Sequence, residues 1–219
     1  MKNKVQKHSF LFILTFMLGC MLTGCTNFDA SAYIKACLDA NTKGEFEAYA
    51  EITNSSMEDI ENIYNQNIET ELSYLQGYSM SDEQMEAFRS LFIDMYKSFK
   101  YEVGEAVKND DGSYTVPVTS YKLYIFKDIM SEVEAYLTEY AESEVNAGRT
   151  PSQAELEEKA MTFMYDSMKA NLDALEYAEP VTTDVTVSPS KQGSQTIYSI
   201  STTELQSLLQ TFIDMENAQ

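Results

Sequence analysis

Few residues of this chain could act as nucleophiles or proton-transfer groups. The 219 residues include one histidine, His8, and three cysteines, Cys20, Cys25 and Cys37. All of these except Cys37 lie within the first 25 residues. The rest of the chain therefore cannot form a Ser-His or Cys-His catalytic pair, a zinc site that uses histidine, or an internal disulfide. Cys37 is expected to be a buried, inert thiol because its neighbours on the helix face are apolar.

Carboxylates are the remaining candidates for acid–base chemistry. Acidic side chains cluster at positions 132–144 and 155–158. Two carboxyl groups that flank a glycosidic bond can hydrolyse it, so one hypothesis is a carboxylate-dependent hydrolase that acts on an envelope substrate. These residues fall between the apolar positions of helices, however, which is typical of a solvated face. The favoured prediction is a protein that is not an enzyme.

The motifs indicate neither a metal nor a cofactor. Asn109-Asp110-Asp111-Gly112 has the composition of a calcium loop. With Gly112 as the sixth position, however, Val107 and Val118 would fill the first and twelfth, where an EF-hand needs carboxylates. A plain turn is the favoured interpretation. The eight glycines are isolated from one another, so no phosphate-binding loop can form.

Aromatic side chains are the most suggestive feature for ligand binding. Four of them lie on or just beyond the first predicted hairpin: Tyr121, Tyr124, Tyr136 and Tyr140. Tyrosine buries an apolar ring and keeps its hydroxyl near water, so core packing is the favoured interpretation. The alternative is a tyrosine-lined pocket between sheet and helices that takes a peptide or a small apolar ligand.

The first 25 residues have the three-part layout of an export signal. Three lysines precede a mostly apolar stretch at 9–21, and the segment ends Leu22-Thr23-Gly24-Cys25. These last four residues resemble the lipobox of bacterial lipoproteins. The resemblance implies that the chain is cut just before Cys25, that Cys25 carries the lipid, and that the protein is held at the extracytoplasmic face of the cell membrane. Two or more acyl chains give such anchoring its stability.

These signals divide the chain into three parts. Residues 1–24 are predicted to be a lipoprotein signal peptide, residues 25–30 the lipidated cysteine and a short tether, and residues 31–219 a single α+β domain. Loss of the signal removes three lysines and leaves 12 basic and 35 acidic residues, a net charge of −23. Such a surface repels phosphate backbones, which excludes nucleic acid as a partner.

Apolar residues at three- and four-residue spacing predict seven helices. Four come first, a hairpin follows, then two helices, a second hairpin and a final helix. Capping signals mark several starts: Asp29 or Ser31, Ser55 with Glu58, Ser81 with Gln84, Thr150 before Pro151, and Ser201 with Glu204.

Alternating apolar residues predict two β-hairpins, at 101–125 and 181–200. Pro117 predicts an edge position or a bulge, and a one-residue change of phase after Ser120 suggests another bulge. A lone hairpin is marginal in water, so the two are expected to pair into one small antiparallel sheet. The predicted fold is a mainly helical α+β domain with helices packed on one face of that sheet.

The chain beyond the lipobox resembles uncharacterised lipoproteins of Gram-positive bacteria. The matching stretches are Ala32-Tyr33-Ile34-Lys35-Ala36, Leu38-Asp39-Ala40, Lys43-Gly44-Glu45-Phe46 and Lys100-Tyr101-Glu102-Val103-Gly104-Glu105-Ala106. This resemblance implies a shared fold. The sequence thus predicts a membrane-anchored, extracytoplasmic lipoprotein with a non-enzymatic domain that binds a ligand or a protein. A structural envelope protein without a small ligand is a further hypothesis.

Overall fold

The computed structural model describes residues 28–193 and 195–215. Within this part of the chain the helices follow the predicted order. They are α1 (Ala30–Leu38), a π-helix (Asp39–Lys43), α2 (Glu47–Thr53), α3 (Met57–Ser73), α4 (Asp82–Lys97), α5 (Ile129–Asn146), α6 (Gln153–Ala174) and α7 (Thr202–Leu209).

Three predicted helix starts are confirmed by their capping bonds. Asp29 Oδ1 accepts a backbone N–H from the first turn of α1 at 2.9 Å. Ser81 and Gln84 form a reciprocal capping box, in which each side-chain oxygen accepts the backbone N–H of the other. Ser201 Oγ accepts the Glu204 N–H at 3.1 Å at the start of α7. These bonds satisfy N–H groups that the helix itself leaves without partners.

Two helices begin at a different residue from the predicted one. Ser56, not Ser55, caps α3. The Ser55 N–H is already used, since it donates to a carbonyl near the end of α2. Ser152, not Thr150, caps α6. It does so because Glu155, three residues later, accepts the Ser152 N–H in return and completes a capping box.

Five strands form one antiparallel sheet in the described residues, and this confirms the prediction that the two hairpins pair. The strands are β1 (Lys100–Val103), β2 (Val107–Lys108), β3 (Tyr114–Tyr121), β4 (Val181–Gln192) and β5 (Gln195–Ile200). Their order is β1-β3-β4-β5, with β2 also paired to β3. β3 and β4 join the hairpins, in register from Tyr114 opposite Val187 to Ser120 opposite Val181.

Pro117 lies inside the sheet, so the predicted edge position is wrong. Its strand, β3, has β4 on one side and β1 and β2 on the other. The Pro117 carbonyl accepts the Gly104 N–H at 2.8 Å, which places the missing proline N–H opposite the gap between β1 and β2. The pairing register shifts by one residue across that gap. The predicted bulge is therefore present, but in the strand opposite the proline.

The sheet has one apolar face and one polar face. Val116, Val118, Val185 and Val187 are buried and belong to the main core. The alternate residues of β3 and β4 are largely polar and half-buried or exposed, as the two-residue period of a strand requires. α1 lies along β1 and β3, and α7 lies on β4, with buried residues in the same core. Helix packing on one face is thus confirmed.

Leu123 ties the end of β3 to the C-terminal segment. Its N–H donates to the Phe212 carbonyl at 2.8 Å, and its carbonyl accepts the Asp214 N–H at 3.1 Å. On its other side it forms a β-bridge with Tyr177. The predicted change of phase begins where the strand ends, at Tyr121. The β3–β4 register would place Leu123 opposite Ala178, so its bridge to Tyr177 is offset by one residue, in keeping with the irregularity that the phase change suggested.

The helices α3, α4, α5 and α6, here called the helical half, pack mainly against one another and against the π-helix. Phe88 of α4 meets Tyr165 of α6 edge-on, with ring centres 5.4 Å apart. Tyr136 of α5 stacks on Phe163 of α6 at 4.7 Å. α5 is outermost, because Ile129 is the one residue of this helix that is buried.

The helical half joins the sheet at one end of β3. Lys100, which follows α4, pairs with Tyr121, and Val181, which follows α6, pairs with Ser120. α5 begins at Ile129, shortly after β3 ends. All three connections between the helical half and the sheet therefore lie at the Tyr121 end.

Candidate functional site

The described chain begins three residues after the predicted lipidation site. Cys25 and the predicted signal peptide at 1–24 lie outside the described residues. Phe28, by contrast, is packed: its ring stacks on Tyr198 at 4.0 Å and meets Tyr114 at 5.4 Å and Tyr33 at 5.6 Å. Phe28 is thus packed although it falls in the range 25–30 that the sequence predicts to be a tether.

These four rings, Phe28, Tyr33, Tyr114 and Tyr198, form what we call the N-terminal aromatic cluster. Tyr114 and Tyr198 also contact each other, with centres 5.7 Å apart. Aromatic pairs at such separations contribute about 0.5–1.5 kcal/mol each beyond the burial of their surface. The cluster therefore holds the start of the chain against the sheet. Sequence reasoning missed it, although a lone phenylalanine directly before a helix cap was an available signal.

Three elements position the cluster. Tyr114 begins β3 and Tyr198 lies in β5, and β4 pairs with both strands between them. The Asp29 cap starts α1 directly after Phe28 and brings the fully buried Tyr33 round one turn later. The Ser31 hydroxyl donates to the Gly104 carbonyl at 2.8 Å, which fixes the start of α1 on the bulged edge of the sheet.

Tyr121 and Tyr124, the first two of the predicted pocket tyrosines, lie at and just beyond the end of β3. The Tyr121 hydroxyl donates to Glu102 Oε1 at 3.3 Å, and Lys100 Nζ lies 4.1 Å from the ring centre. Desolvation, and then the charge of Glu102, raises the pKa of Tyr121. Tyr124 is half-buried, and its N–H donates to the Glu176 carbonyl at 3.0 Å.

Tyr136 and Tyr140, the other two, lie on α5 and face α6. Tyr136 stacks on Phe163, and the Tyr140 ring centre lies 5.8 Å from Lys159 Nζ. In the described part of the chain no ring contact joins either of them to the pair at the end of β3. The four residues therefore have two separate sets of neighbours, and a pocket lined by all four stays a prediction.

A shallow groove of about 400 Å³ lies near the C-terminal end of α5. It is lined by Ala141, Glu142, Val145 and Asn146, and none of the four predicted tyrosines contributes. Small-molecule sites usually enclose most of the ligand surface. The groove is open, and the described residues that line it all lie on one helix, so it suits contact with another surface better than enclosure of a small molecule.

A polar cluster surrounds the π-helix. The Tyr101 hydroxyl donates to Asp39 Oδ1 at 2.5 Å and lies 3.3 Å from Thr42 Oγ1. Lys35 forms an ion pair with Asp39 across one helical turn. Asp39 and Thr42 are both buried. π-Helical segments are frequent at functional sites, so this cluster is a candidate for reactive chemistry.

The polar groups of this cluster are hydrogen-bonded or ion-paired to one another. Burial, and then the hydrogen bond to Asp39, raises the pKa of Tyr101 far above its ordinary value, so the phenol is neutral at physiological pH. Lys43 Nζ donates to the Phe99 carbonyl at 3.2 Å and lies 5.3 Å from the Tyr101 ring centre. These contacts join the end of α1 to β1. The four-residue spacing of Lys35 and Asp39 was the one signal of them in the sequence.

Three carboxyl groups of the described residues are buried: Asp39, Glu71 and Asp214. They lie on the π-helix, on α3 and in the C-terminal segment. Glu71 is near Tyr96 on the neighbouring helix, where burial, and then the charge of Glu71, raises the pKa of that phenol. The carboxyl groups at 132–144 and 155–158 are exposed or half-buried, and Glu144 and Glu155 both bind Arg149 at the tip of the α5–α6 pair.

The segment from Asn109 to Ser113 is a turn, as predicted. The Asn109 N–H donates to the Ser113 carbonyl at 2.8 Å. Asp111 Oδ1 accepts both the hydroxyl and the N–H of Ser113, at 2.6 and 3.0 Å, and these bonds lower the pKa of Asp111. Among residues 28–193 and 195–215, no group of three or more His, Cys, Asp or Glu side chains is arranged to hold a metal ion.

None of the described helices is both long and apolar enough to cross a bilayer.

Comparison with known proteins gives a likeness of fold. No protein-family model matches this chain, and no curated protein matches it. Its structure is similar to that of Bacillus subtilis YcdA, a candidate lipoprotein, with a TM-score of 0.58 and 15% sequence identity. The similarity covers 85% of this chain but 56% of YcdA, so this chain spans little more than half the length of that protein. The predicted resemblance to lipoproteins of Gram-positive bacteria is thereby supported at the level of the fold.

Proposed function

We propose that this chain is a membrane-anchored, extracytoplasmic lipoprotein whose domain binds a protein or peptide partner and catalyses no reaction. The observation that carries the proposal is the packing of Phe28, three residues after the lipobox cysteine, into the N-terminal aromatic cluster. A lipid on Cys25 would be joined to folded structure by a connection of two residues. The likeness to YcdA gives independent support from the fold.

The composition of the exported part supports a binding role over catalysis. No histidine follows His8, and the one thiol beyond the lipobox, Cys37, is fully buried. The phenol of Tyr101 and the carboxyl group of Asp39, the closest approach to an acid–base pair, are hydrogen-bonded to each other at 2.5 Å. General base catalysis needs a proton acceptor that can reach the substrate, and neither the buried thiol nor the bonded Tyr101–Asp39 pair provides one.

The α5–α6 pair is the surface that best suits a partner. Residues 129–174 contain ten acidic and three basic side chains. Val145, beside the open groove, is 61% exposed, and Met130 is 46% exposed. Apolar side chains surrounded by acidic ones complement a partner that carries apolar and basic groups, since charge steers the encounter and apolar contact gives the affinity. A cationic peptide or a basic protein surface is therefore the expected partner.

Lipid attachment is tested by replacing the lipobox cysteine. In a Gram-positive host, the wild-type protein should incorporate labelled palmitate and sediment with membranes, whereas Cys25→Ser should lose both properties. Cys20→Ser, a change five residues away, is the matched control and should retain both. Label and membrane association that persist in Cys25→Ser would disprove the lipid anchor.

Partner binding is tested by photo-crosslinking from α5. A photoreactive residue at Val145 should give a protein or peptide adduct on intact cells, and the adduct should weaken as salt is raised because opposite charges attract less strongly. The same probe at Thr182, on the polar face of the sheet, is the control. Equal adducts from both positions would contradict a partner surface on α5.

A further inference from the structure

We infer that the end of the sheet that bears the N-terminal aromatic cluster faces the bilayer, and that the helical half points away from it. The inference rests on the proposed lipid anchor at Cys25. It names the surface of the domain that meets the lipid headgroups, and it follows from the length of the connection and the position where it joins the fold.

The connection between lipid and domain is short. Three Cα–Cα steps separate Cys25 from Phe28, and each spans 3.8 Å, so the two Cα atoms are at most about 11 Å apart. The lipidated residue lies at the headgroup surface by its chemistry. Phe28 is therefore held within about 11 Å of that surface.

Phe28 cannot swing freely on this connection, because its ring is held by three separate elements. Tyr33 comes from α1, Tyr114 from β3 and Tyr198 from β5. Tyr33 is fully buried, and Asp29 follows Phe28 directly with its capping bond to α1. Displacing Phe28 would thus disturb a helix start as well as two strands. The short connection consequently constrains the orientation of the whole domain.

The near end of the domain consists of strand ends and turns. Tyr114 lies beside the 109–113 turn, and Val107 and Lys108 on β2 are exposed there, Val107 by 63%. The β4–β5 hairpin extends past Tyr198 to the exposed Lys191. Two lysines and an apolar side chain suit the headgroup region. Of the acidic groups at this end, Asp29 caps α1, and Asp110 and Asp111 belong to the turn, where Asp111 accepts two bonds from Ser113.

The far end of the sheet carries the helical half. β3 rises about 3.3 Å per residue, so Tyr121 lies about 23 Å further along the sheet than Tyr114. All three connections to α4, α5 and α6 are at the Tyr121 end. The acidic α5–α6 pair is thereby kept away from an anionic leaflet, which would repel it at short range.

Site-specific fluorescence quenching on the lipidated, full-length protein tests this orientation. Cys37 is fully buried, so a cysteine added at Lys191 or Val145 is the accessible thiol to label. In vesicles that contain headgroup-quencher lipids, quenching at position 191 is expected to be several-fold greater than at position 145. Equal quenching at both positions, or stronger quenching at 145, would overturn the orientation.

A variant with a longer connection tests the orientation of the domain separately from the lipid anchor. A flexible Gly-Ser insert between Asn27 and Phe28 leaves the aromatic cluster intact but removes the distance limit, so the difference between positions 191 and 145 should shrink. An unchanged difference would show that the short connection does not set the orientation. Protein that fails to associate with the vesicles at all would instead overturn the proposed lipid anchor, which distinguishes the two failures.

Discussion

The sheet and the outermost helix, α5, are packed in different ways. Around the sheet, residues from α1, β3, β4 and the C-terminal segment meet in a continuous core, in which Tyr33, Val116 and Phe212 are fully buried. α5 contributes one buried residue, Ile129, and otherwise contacts α6 through half-buried rings and surface ion pairs. Such ion pairs contribute little. α5 therefore contributes little to the buried core, and its surface is available for an interaction.

The two regions should differ most in the free energy of unfolding that is lost when one aromatic ring is removed from each. Phe212 stacks on Phe99 at 5.1 Å in the core, so Phe212→Ala should lower the free energy of unfolding by about 3–5 kcal/mol. Tyr136→Ala on α5 should cost about 1 kcal/mol, because that ring is half-buried. Urea denaturation measures both changes, and equal losses would show that the two regions are equally packed.

A methyl group at Gly104 probes the bulge on the edge of the sheet. A Cβ there would lie 2.7 Å from Pro117 Cγ, inside contact distance and against a rigid ring. Gly104→Ala should therefore destabilise the protein by about 2–3 kcal/mol. At Gly77, between α3 and α4, no atom beyond the chain neighbours lies within 4 Å of such a Cβ.

Gly77→Ala is the control for this substitution. It should be neutral or stabilise the protein by a few tenths of a kcal/mol, since alanine restricts the unfolded chain. Thermal unfolding of the two variants compares them directly. If Gly104→Ala melted at the same temperature as Gly77→Ala, the close contact with Pro117 would not be present in solution.

The bond from Tyr101 to Asp39 gives a smaller effect with a distinctive pH dependence. Tyr101→Phe removes a donor to a buried carboxyl group and should cost about 1.5 kcal/mol at neutral pH. The folded protein holds the phenolic proton more tightly than the unfolded chain, whose tyrosines titrate near pH 10. The stability that this bond contributes is thus fully present below about pH 10 and is lost as the pH rises further.

Denaturation at a series of alkaline pH values measures that loss. The free energy of unfolding of Tyr101→Phe should fall less steeply above about pH 10 than that of the wild type. Tyr124→Phe, at the same end of the sheet, is the comparison variant, because it removes a half-buried hydroxyl and leaves the Tyr101–Asp39 bond intact. Parallel curves for Tyr101→Phe and the wild type would mean that this phenol titrates normally in the folded state.

Local patterns in the sequence were sufficient to predict the order of the elements and the joining of the hairpins. The caps at Ser81 and Ser201 are set by residues three positions away, so a short stretch of sequence contains the information. The π-helix was not predictable in this way. The π-helix follows the last apolar residue of α1, so the spacing of the apolar residues does not reveal it. Gly44, at a φ of 68°, is also typical of an ordinary helix end.

The candidate site was less predictable because its contacts are long-range. Phe28 finds Tyr114 and Tyr198 only after β3, β4 and β5 have paired in their particular register. The separation of Tyr121 from Tyr136 depends on the direction in which α5 leaves the sheet, which periodicity does not encode. The same holds for Pro117, whose tolerance inside the sheet depends on an interruption in another strand.

The bulge opposite Pro117 also makes the β1–β2 border of the sheet a poor template for a second molecule. An unbroken outer strand presents a row of N–H and C=O groups that a second molecule can extend, which is how many β-rich proteins aggregate. Here that border is split into β1, of four residues, and β2, of two, with a register shift between them. An incoming strand can match one part or the other but not both. For molecules held side by side by the proposed lipid anchor, this mismatch disfavours their fusion into a shared sheet through that border.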